Sequence, residues 1–167
     1  MGQRGIGAKP IARPTRDGAD VLPLFGKALP LPKPAPPPWQ DPALSRAGRV
    51  IAFIHTLDIT AGRHSGRKFE LRPWQIAIIG EIYAEDAEGR RPVRTAVLSL
   101  GRKNGKTALA AALALCHLCG PEAEPRGECY SAANDRNQAS KIFAEMAAMV
   151  DAHPILSARV SIKRFAK

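Results

Sequence analysis

The sequence has no run of apolar residues long enough to cross a bilayer, which takes about 20 residues in a helix. Its first ten residues are not followed by the apolar core of a secretion signal. These two absences argue against a membrane-spanning or secreted protein. They predict a cytoplasmic location.

Cysteine is scarce, with three residues in the chain: Cys116, Cys119 and Cys129. No second Cys-x-x-Cys pair and no histidine cluster accompanies the first two, which argues against a zinc site. The odd count, in a chain without a secretion signal, favours buried reduced thiols over a disulfide framework.

Acidic residues are outnumbered, with 15 Asp and Glu against 25 Lys and Arg, and the net charge is +10. Such an excess favours a polyanionic partner, either a nucleic acid or the phosphates of a nucleotide. The same charge also fits a basic protein whose cationic side chains only face water. Charge alone leaves both interpretations open.

Proline is unevenly distributed, because residues 1–40 hold nine of the 15 prolines. This composition predicts a disordered or polyproline-like basic arm over residues 1–40, followed by a folded domain over 41–167. The arm is interpreted as a solvated tail or as a segment that touches DNA or another subunit.

Apolar periodicity predicts alternating helices and strands in the folded domain. Asp41 suits a helix N-cap and Pro42 the first helical position. Helices are predicted at 42–58, from Pro73 onward, at 106–118 and at 134–151, and strands at 93–99, 128–133 and 158–162. This order predicts an α/β fold with a partial parallel sheet of about three strands and flanking helices.

The sharpest motif is RKNGKT at residues 102–107, between a predicted strand and an Ala-rich helix. Gly105 leaves room for a phosphate, Lys106 suits the β and γ phosphates, and the Thr107 hydroxyl suits Mg²⁺. Leu100 stands where the usual phosphate loop has its first glycine. The alternative is a basic loop at a helix start that happens to contain Gly-Lys-Thr.

This departure resembles the deviant Walker A loop of phage terminase large subunits, where an arginine lies four places before the lysine. Arg102 occupies that place. The resemblance implies that Arg102 is catalytic and acts on the γ phosphate, as a guanidinium can. It also implies ATP and Mg²⁺ as cofactors, with Thr107 as the metal ligand. The nucleotide-binding residues expected in the loop are Arg102, Lys103, Asn104, Gly105, Lys106 and Thr107.

Two further segments are similar to the same family. The stretch around Pro73-Trp74-Gln75 resembles the segment that precedes its Walker A loop, which implies that Gln75 contacts adenine through its amide donor and acceptor. The bland alternative makes Gln75 an exposed helix residue and Trp74 a core residue. Residues 130–139 resemble the family's next strand and helix start, but simple helix capping by Asn134 or Asp135 explains that turn slightly better.

A Walker B strand, four apolar residues ending in Asp-Glu, is absent. Asp151 follows an apolar run, but the run has a helical pattern and no glutamate follows. The acidic cluster of the family's nuclease domain is also absent. We therefore interpret the chain as a fragment from a truncated prophage gene, a split gene or a partial sequence. We expect it to bind nucleotide without efficient ATP hydrolysis or DNA cleavage.

The resemblance implies a role in DNA packaging, in which the full-length protein couples ATP hydrolysis to movement of DNA into the procapsid. It implies double-stranded DNA, a portal and a small terminase subunit as partners, homo-oligomerisation only at full length, and a phage or prophage gene expressed in the bacterial cytoplasm. Two alternatives stay open: another helicase-like P-loop ATPase, and a basic DNA-binding fragment without enzymatic activity.

Overall fold

The computed structural model describes residues 21–24, 27–30 and 35–163. The chain divides into two units, residues 1–35 and 36–167. None of the described helices combines the length and the apolar character that a membrane crossing needs.

The first unit contains a short antiparallel ribbon. Strands β1 (Val21–Leu24) and β2 (Lys27–Pro30) pair with Val21 opposite Pro30. These residues lie in the stretch predicted as a disordered arm, so their backbone pairing differs from that prediction. The remainder of the prediction up to residue 34 lies outside the described residues.

The second unit is helical in its described part. Its helices are α1 (Arg46–Thr56), α2 (Pro73–Ile82), α3 (Lys106–Cys119), α4 (Arg136–Ala152) and α5 (Pro154–Arg159). Short 3-10 turns cover Pro38–Gln40 and Gly62–His64. The predicted starts of α2 and α3 are confirmed, because both depend on local signals: Pro73 at the first helical position and glycine before Lys106.

The predicted start of α1 is wrong by four residues. Ser45 is the N-cap, and its hydroxyl accepts a hydrogen bond from the backbone N–H of Gly48 at 3.1 Å. Asp41 instead caps a turn by accepting from the N–H of Ala43 at 2.9 Å. The folded body begins before residue 41, since Trp39 is only 4% exposed.

The core lies where α1 packs against α2 and α3, and where α4 packs against α3 and α5. Its fully buried large side chains include Phe53, Ile54, Leu57, Ile79, Leu109, Leu115, Met149 and Leu156. Burying each such side chain contributes about 1.5–3 kcal/mol of favourable free energy to folding.

Helix α2 carries Trp74, Ile78 and Ile82 on one face, and all three are half-buried. Trp74 and Ile82 pack against the core. The buried residues of α2 are Gln75 and Ile79. The helix is apolar almost all round, so periodicity alone does not determine which face meets the core.

The parallel sheet is not confirmed. In the described part of the chain, residues 93–99 and 128–133 form no strand ladder, and Val97 and Tyr130 are 92% and 88% exposed. Residues 158 and 159 belong to α5 instead of a strand, because His153 caps the helix by accepting from the N–H of Leu156. A strand requires a neighbour to complete its hydrogen bonds, which its own sequence cannot supply.

A side-chain pair ties the start of α1 to the turn after α3. The Nε of Arg46 donates to both carboxylate oxygens of Glu122, at 2.9 Å each. Glu122 is 9% exposed, and the pKa of Arg46 is raised chiefly by this hydrogen bond. This pair fixes the start of α1 against the turn that follows α3.

Candidate nucleotide-binding site

The loop before α3 has two residues in left-handed backbone conformation. Gly105 is the residue before the helix, with φ +71°, and Lys103 has φ +65°. Positive φ suits glycine and strains lysine, because a Cβ then crowds the backbone. Turns of this kind, placed at a helix N-terminus, are the backbone geometry from which anion-binding nests are made.

Lys106 folds back over this loop. Its Nζ donates to the carbonyl oxygens of Leu100 at 2.7 Å and Gly101 at 2.8 Å. The side chain is exposed at the mouth of the loop. Its ammonium is therefore held beside the loop backbone at the first turn of α3.

Other predicted residues of the loop are also exposed. Arg102 forms no ion pair within residues 35–163, and Thr107 presents its hydroxyl in the first turn of α3. A guanidinium without a carboxylate partner remains free for an anionic ligand.

Gln75 is held differently from its neighbours in the candidate site. It is 5% exposed, and its Oε1 accepts from the backbone N–H of Arg72 at 2.8 Å, which closes the first turn of α2. The amide nitrogen of Gln75 forms no hydrogen bond within the described residues. The sequence suggested that both halves of this amide were available, but its oxygen already has a partner.

A cavity of about 960 Å³ brings these elements together. It is lined by the loop and first turn of α3 at residues 102–107, by the start of α2 with Trp74 and Gln75, and by residues 59–72. All seven residues predicted from the sequence as nucleotide-binding lie on this one surface. The volume is within the range of small-molecule sites.

Residues 59–68, which we call the basic loop, form a wall of the cavity that sequence reasoning missed. The loop is closed by hydrogen bonds from Ile59 N to Arg67 O and from Gly66 N to Ile59 O, both at 2.8 Å. Gly62 and Gly66 have positive φ, so glycine permits both turns. Two glycines four residues apart among basic residues are the sequence signal for this loop.

Glu145 is a second cavity residue that the sequence did not indicate. It lies on α4, and its Oε1 accepts from the Thr60 hydroxyl at 2.6 Å, across 85 positions of sequence. This bond attaches the basic loop to α4. A contact over such a distance depends on the tertiary fold and has no local signature.

The cavity is strongly cationic. The basic residues lining it are Arg63, Arg67, Lys68, Arg72, Arg102, Lys103 and Lys106, and the acidic ones are Glu70 and Glu145. Seven basic residues against two acidic ones make the surface attractive to a polyanion. The polar turn predicted after residue 133 is separate from it: Asp135 caps α4 by accepting from Gln138 N at 2.8 Å.

The comparison with protein families agrees with the loop and helix arrangement. The family model "Terminase large subunit, ATPase domain" matches residues 73–164, more than half of the chain. The chain belongs to this family.

Individual relatives point the same way. The chain is 38% identical over 120 residues to the "Terminase, large subunit" of Enterobacteria phage HK97, which covers 71% of this chain and 23% of the relative. It is also similar to the crystal structure of the HK97 bacteriophage large terminase, with a TM-score of 0.64, 36% identity, and 74% of this chain and 24% of that chain covered. The chain thus spans about a quarter of the length of these relatives.

Proposed function

We propose that this chain is the ATP-binding part of a viral DNA-packaging motor. In the full-length protein, ATP hydrolysis would drive double-stranded DNA into the procapsid, with a portal and a small terminase subunit as partners, in a homo-oligomer in the bacterial cytoplasm. The observation that carries the proposal is the common cavity, where the predicted loop residues and Gln75 meet at the N-terminus of α3.

The phosphate chemistry follows from the loop. The backbone at Lys103, Asn104 and Gly105 would hold the phosphates, Lys106 would exchange its two carbonyl partners for phosphate oxygens, and Arg102 would neutralise charge on the γ phosphate. Lysine and arginine suit these two roles because one is a compact charge and the other a planar fork.

The cavity fits Mg²⁺ only as part of a nucleotide complex. Thr107 offers one hydroxyl ligand, and no cluster of three His, Cys, Asp or Glu side chains that could hold a metal lies within the described residues. Magnesium usually keeps several waters and binds substrate phosphates through few protein ligands, so a single hydroxyl is compatible with it. The ion would offset phosphate charge during transfer.

Gln75 would contact the adenine base through only one of the two polar groups of its amide. Its oxygen is bonded to the Arg72 N–H, so its amide nitrogen is the group that donates to a ring nitrogen of adenine. Replacement by glutamate keeps an acceptor for Arg72 and removes the donor. The Gln75→Glu variant should weaken ATP binding, because it removes the donor and adds a negative charge to the cavity, and burial of that charge should also lower the free energy of unfolding.

The sheet expected for a P-loop domain belongs to this proposal. Residues 93–99 lead into the phosphate loop, and 128–133 lead into α4, as the strands of a parallel sheet would. We propose that they are strands in the full-length protein, where neighbouring strands complete their hydrogen bonds. The missing Walker B acid pair means that this chain alone should bind ATP but turn it over poorly.

Titration of the chain with a fluorescent ATP analogue and Mg²⁺ tests the assignment. Lys106→Ala should raise the dissociation constant at least tenfold, because it removes a charged contact to phosphate that contributes roughly 1.5–3 kcal/mol. Lys141→Ala, at an exposed lysine on α4 outside the cavity, is the matched control. Equal affinities for Lys106→Ala and the control would refute nucleotide binding at this loop and favour a non-enzymatic basic fragment.

A further inference from the structure

We propose that the basic loop is a second phosphate-contacting wall, in which Arg63 and Arg67 bind the phosphates of the nucleotide from outside the Walker A loop. This inference rests on the proposed function, because it assigns more residues to the same ligand. It concerns residues that lie more than 30 positions before the Walker A loop.

The basic loop has a defined shape. Besides the two backbone bonds that close it, the Ser65 hydroxyl donates to the Thr60 carbonyl at 3.1 Å, and residues Asp58 and Lys68 pair as an isolated bridge. The Thr60–Glu145 bond attaches the loop to α4. Arg63 and Arg67 are thus presented to the cavity from a fixed support, which lowers the entropy cost of binding through them.

The charges on the loop are unequally compensated. Lys68 is 2.8 Å from Asp58, so its charge has a partner. Arg67 has no side-chain partner among the described residues, and Arg63 has only a bond from its Nε to His64 Nε2 at 3.0 Å. Both arginines line the cavity, and neither has a carboxylate partner among the described residues.

A phosphate chain suits this arrangement in charge and in shape. Arginine binds phosphate through paired parallel N–H groups, and it does so without the strong hydration of an ammonium. The two arginines line the same cavity as Lys106, Arg102 and Lys103, so this surface is positively charged and attracts an anion. Because Gln75 lines the same space, a nucleotide fits better than the backbone of a DNA duplex passing outside.

The test compares nucleotides that differ in phosphate number. Fluorescent ATP and AMP analogues are titrated against the wild-type chain, the double variant Arg63→Gln/Arg67→Gln and the control Arg94→Gln, an exposed arginine outside the cavity. We expect the double variant to bind ATP roughly tenfold more weakly, AMP by less than about threefold, and the control to match wild type. Circular dichroism melting checks that the exposed substitutions leave the fold intact.

Other outcomes would overturn the inference. Equal losses for AMP and ATP would place the arginines on the base, ribose or α phosphate that both nucleotides share, and not on the β and γ phosphates, which would overturn the inference. Unchanged ATP binding with reduced binding of a labelled DNA duplex would assign the loop to DNA. If Lys106→Ala loses ATP while the double variant retains it, the loop has no nucleotide role but the proposed function stands; if both variants retain it, the proposed function fails too.

Discussion

At its C-terminal end α3 is enclosed, whereas at its N-terminal end it is open. Cys116 is fully buried, and a Cβ at Gly120 would lie 2.8 Å from the Cys116 Cα and 3.1 Å from the Phe53 ring. At the other end Lys106 and Thr107 are exposed beside two left-handed residues and uncompensated basic charge.

The two ends of the helix therefore differ in packing and in charge. Tight packing and the Arg46–Glu122 pair stabilise the enclosed end, whereas the open end has a lysine at positive φ and basic side chains without carboxylate partners. Functional sites commonly hold strain and unpaired charge that the surrounding structure supports. Substitutions at the enclosed end should therefore lower the free energy of unfolding more than substitutions at the open end.

The largest effect is expected at the enclosed end. Phe53→Ala removes a fully buried ring that packs edge-on against Trp39, with ring centroids 5.1 Å apart. We expect the free energy of unfolding to fall by about 3–5 kcal/mol, from lost burial and the cavity left behind. Urea denaturation measures it, and a loss under about 1 kcal/mol would show that this end is not the stabilising one.

A smaller loss of stability is expected from breaking the Arg46–Glu122 ion pair, which lies beyond Gly120. Glu122→Ala leaves the Arg46 guanidinium without its main partner in a half-buried position, where the Arg46 side chain is 26% exposed. We expect a loss of about 1–3 kcal/mol in the free energy of unfolding. The control is Glu88→Ala, at an exposed ion pair, which should cost less than about 1 kcal/mol.

Acid should weaken the enclosed end as well. His117 lies in the last turn of α3 with its Nε2 2.9 Å from the Tyr83 hydroxyl, and its pKa is lowered from 6.5 by burial first and then by Arg91. The unfolded chain binds this proton more readily than the folded chain, so stability falls as pH drops below about 6.5 and stops falling below the lower folded pKa.

The measurement is the urea midpoint at about pH 7.5 and about pH 5.5. His117→Gln should lose less stability on acidification than wild type. Part of the slope should remain, because the pKa of His153 is also lowered by burial and then by Lys68. An unchanged slope in the variant would remove His117 from this account.

The smallest effect is expected at the open end, and it has the opposite sign. Lys103→Gly relieves a side chain held at φ +65° and should raise the free energy of unfolding by about 0.5–1 kcal/mol. Asn104→Gly, at a neighbouring residue without positive φ, should not stabilise the chain. If both substitutions destabilise equally, the left-handed conformation carries no strain.

Local signals were enough to predict part of this structure. Proline at the start of α2 and glycine at the start of α3 each specify a boundary through the backbone of one residue. The start of α1 was missed because Asp41 and Ser45 are both good caps, and the choice between them depends on how the preceding segment packs. Trp39 anchors that segment in the core.

Non-local features were beyond the sequence. The predicted loop residues 102–107 are contiguous, whereas the residues 59–68 that line the same cavity are attached through the Thr60–Glu145 bond between distant segments. The predicted parallel sheet is not confirmed for a similar reason, since a ladder is a property of two segments and not of one. Gln75, predicted to contact adenine, lines the cavity, but the bond from its oxygen to the helix start was not foreseen from the sequence.

The two carbonyl bonds of Lys106 have a consequence for any titration of this chain. Because the ammonium is already bonded to Leu100 and Gly101, a ligand gains only the difference between the old partners and the new ones. A weakly charged molecule interacts with the ammonium no better than the two carbonyl oxygens do, so Lys106 should keep its bonds to Leu100 and Gly101. The heat of ligand binding measured by calorimetry should therefore reflect an exchange of the Lys106 hydrogen-bond partners, and not the formation of an additional bond.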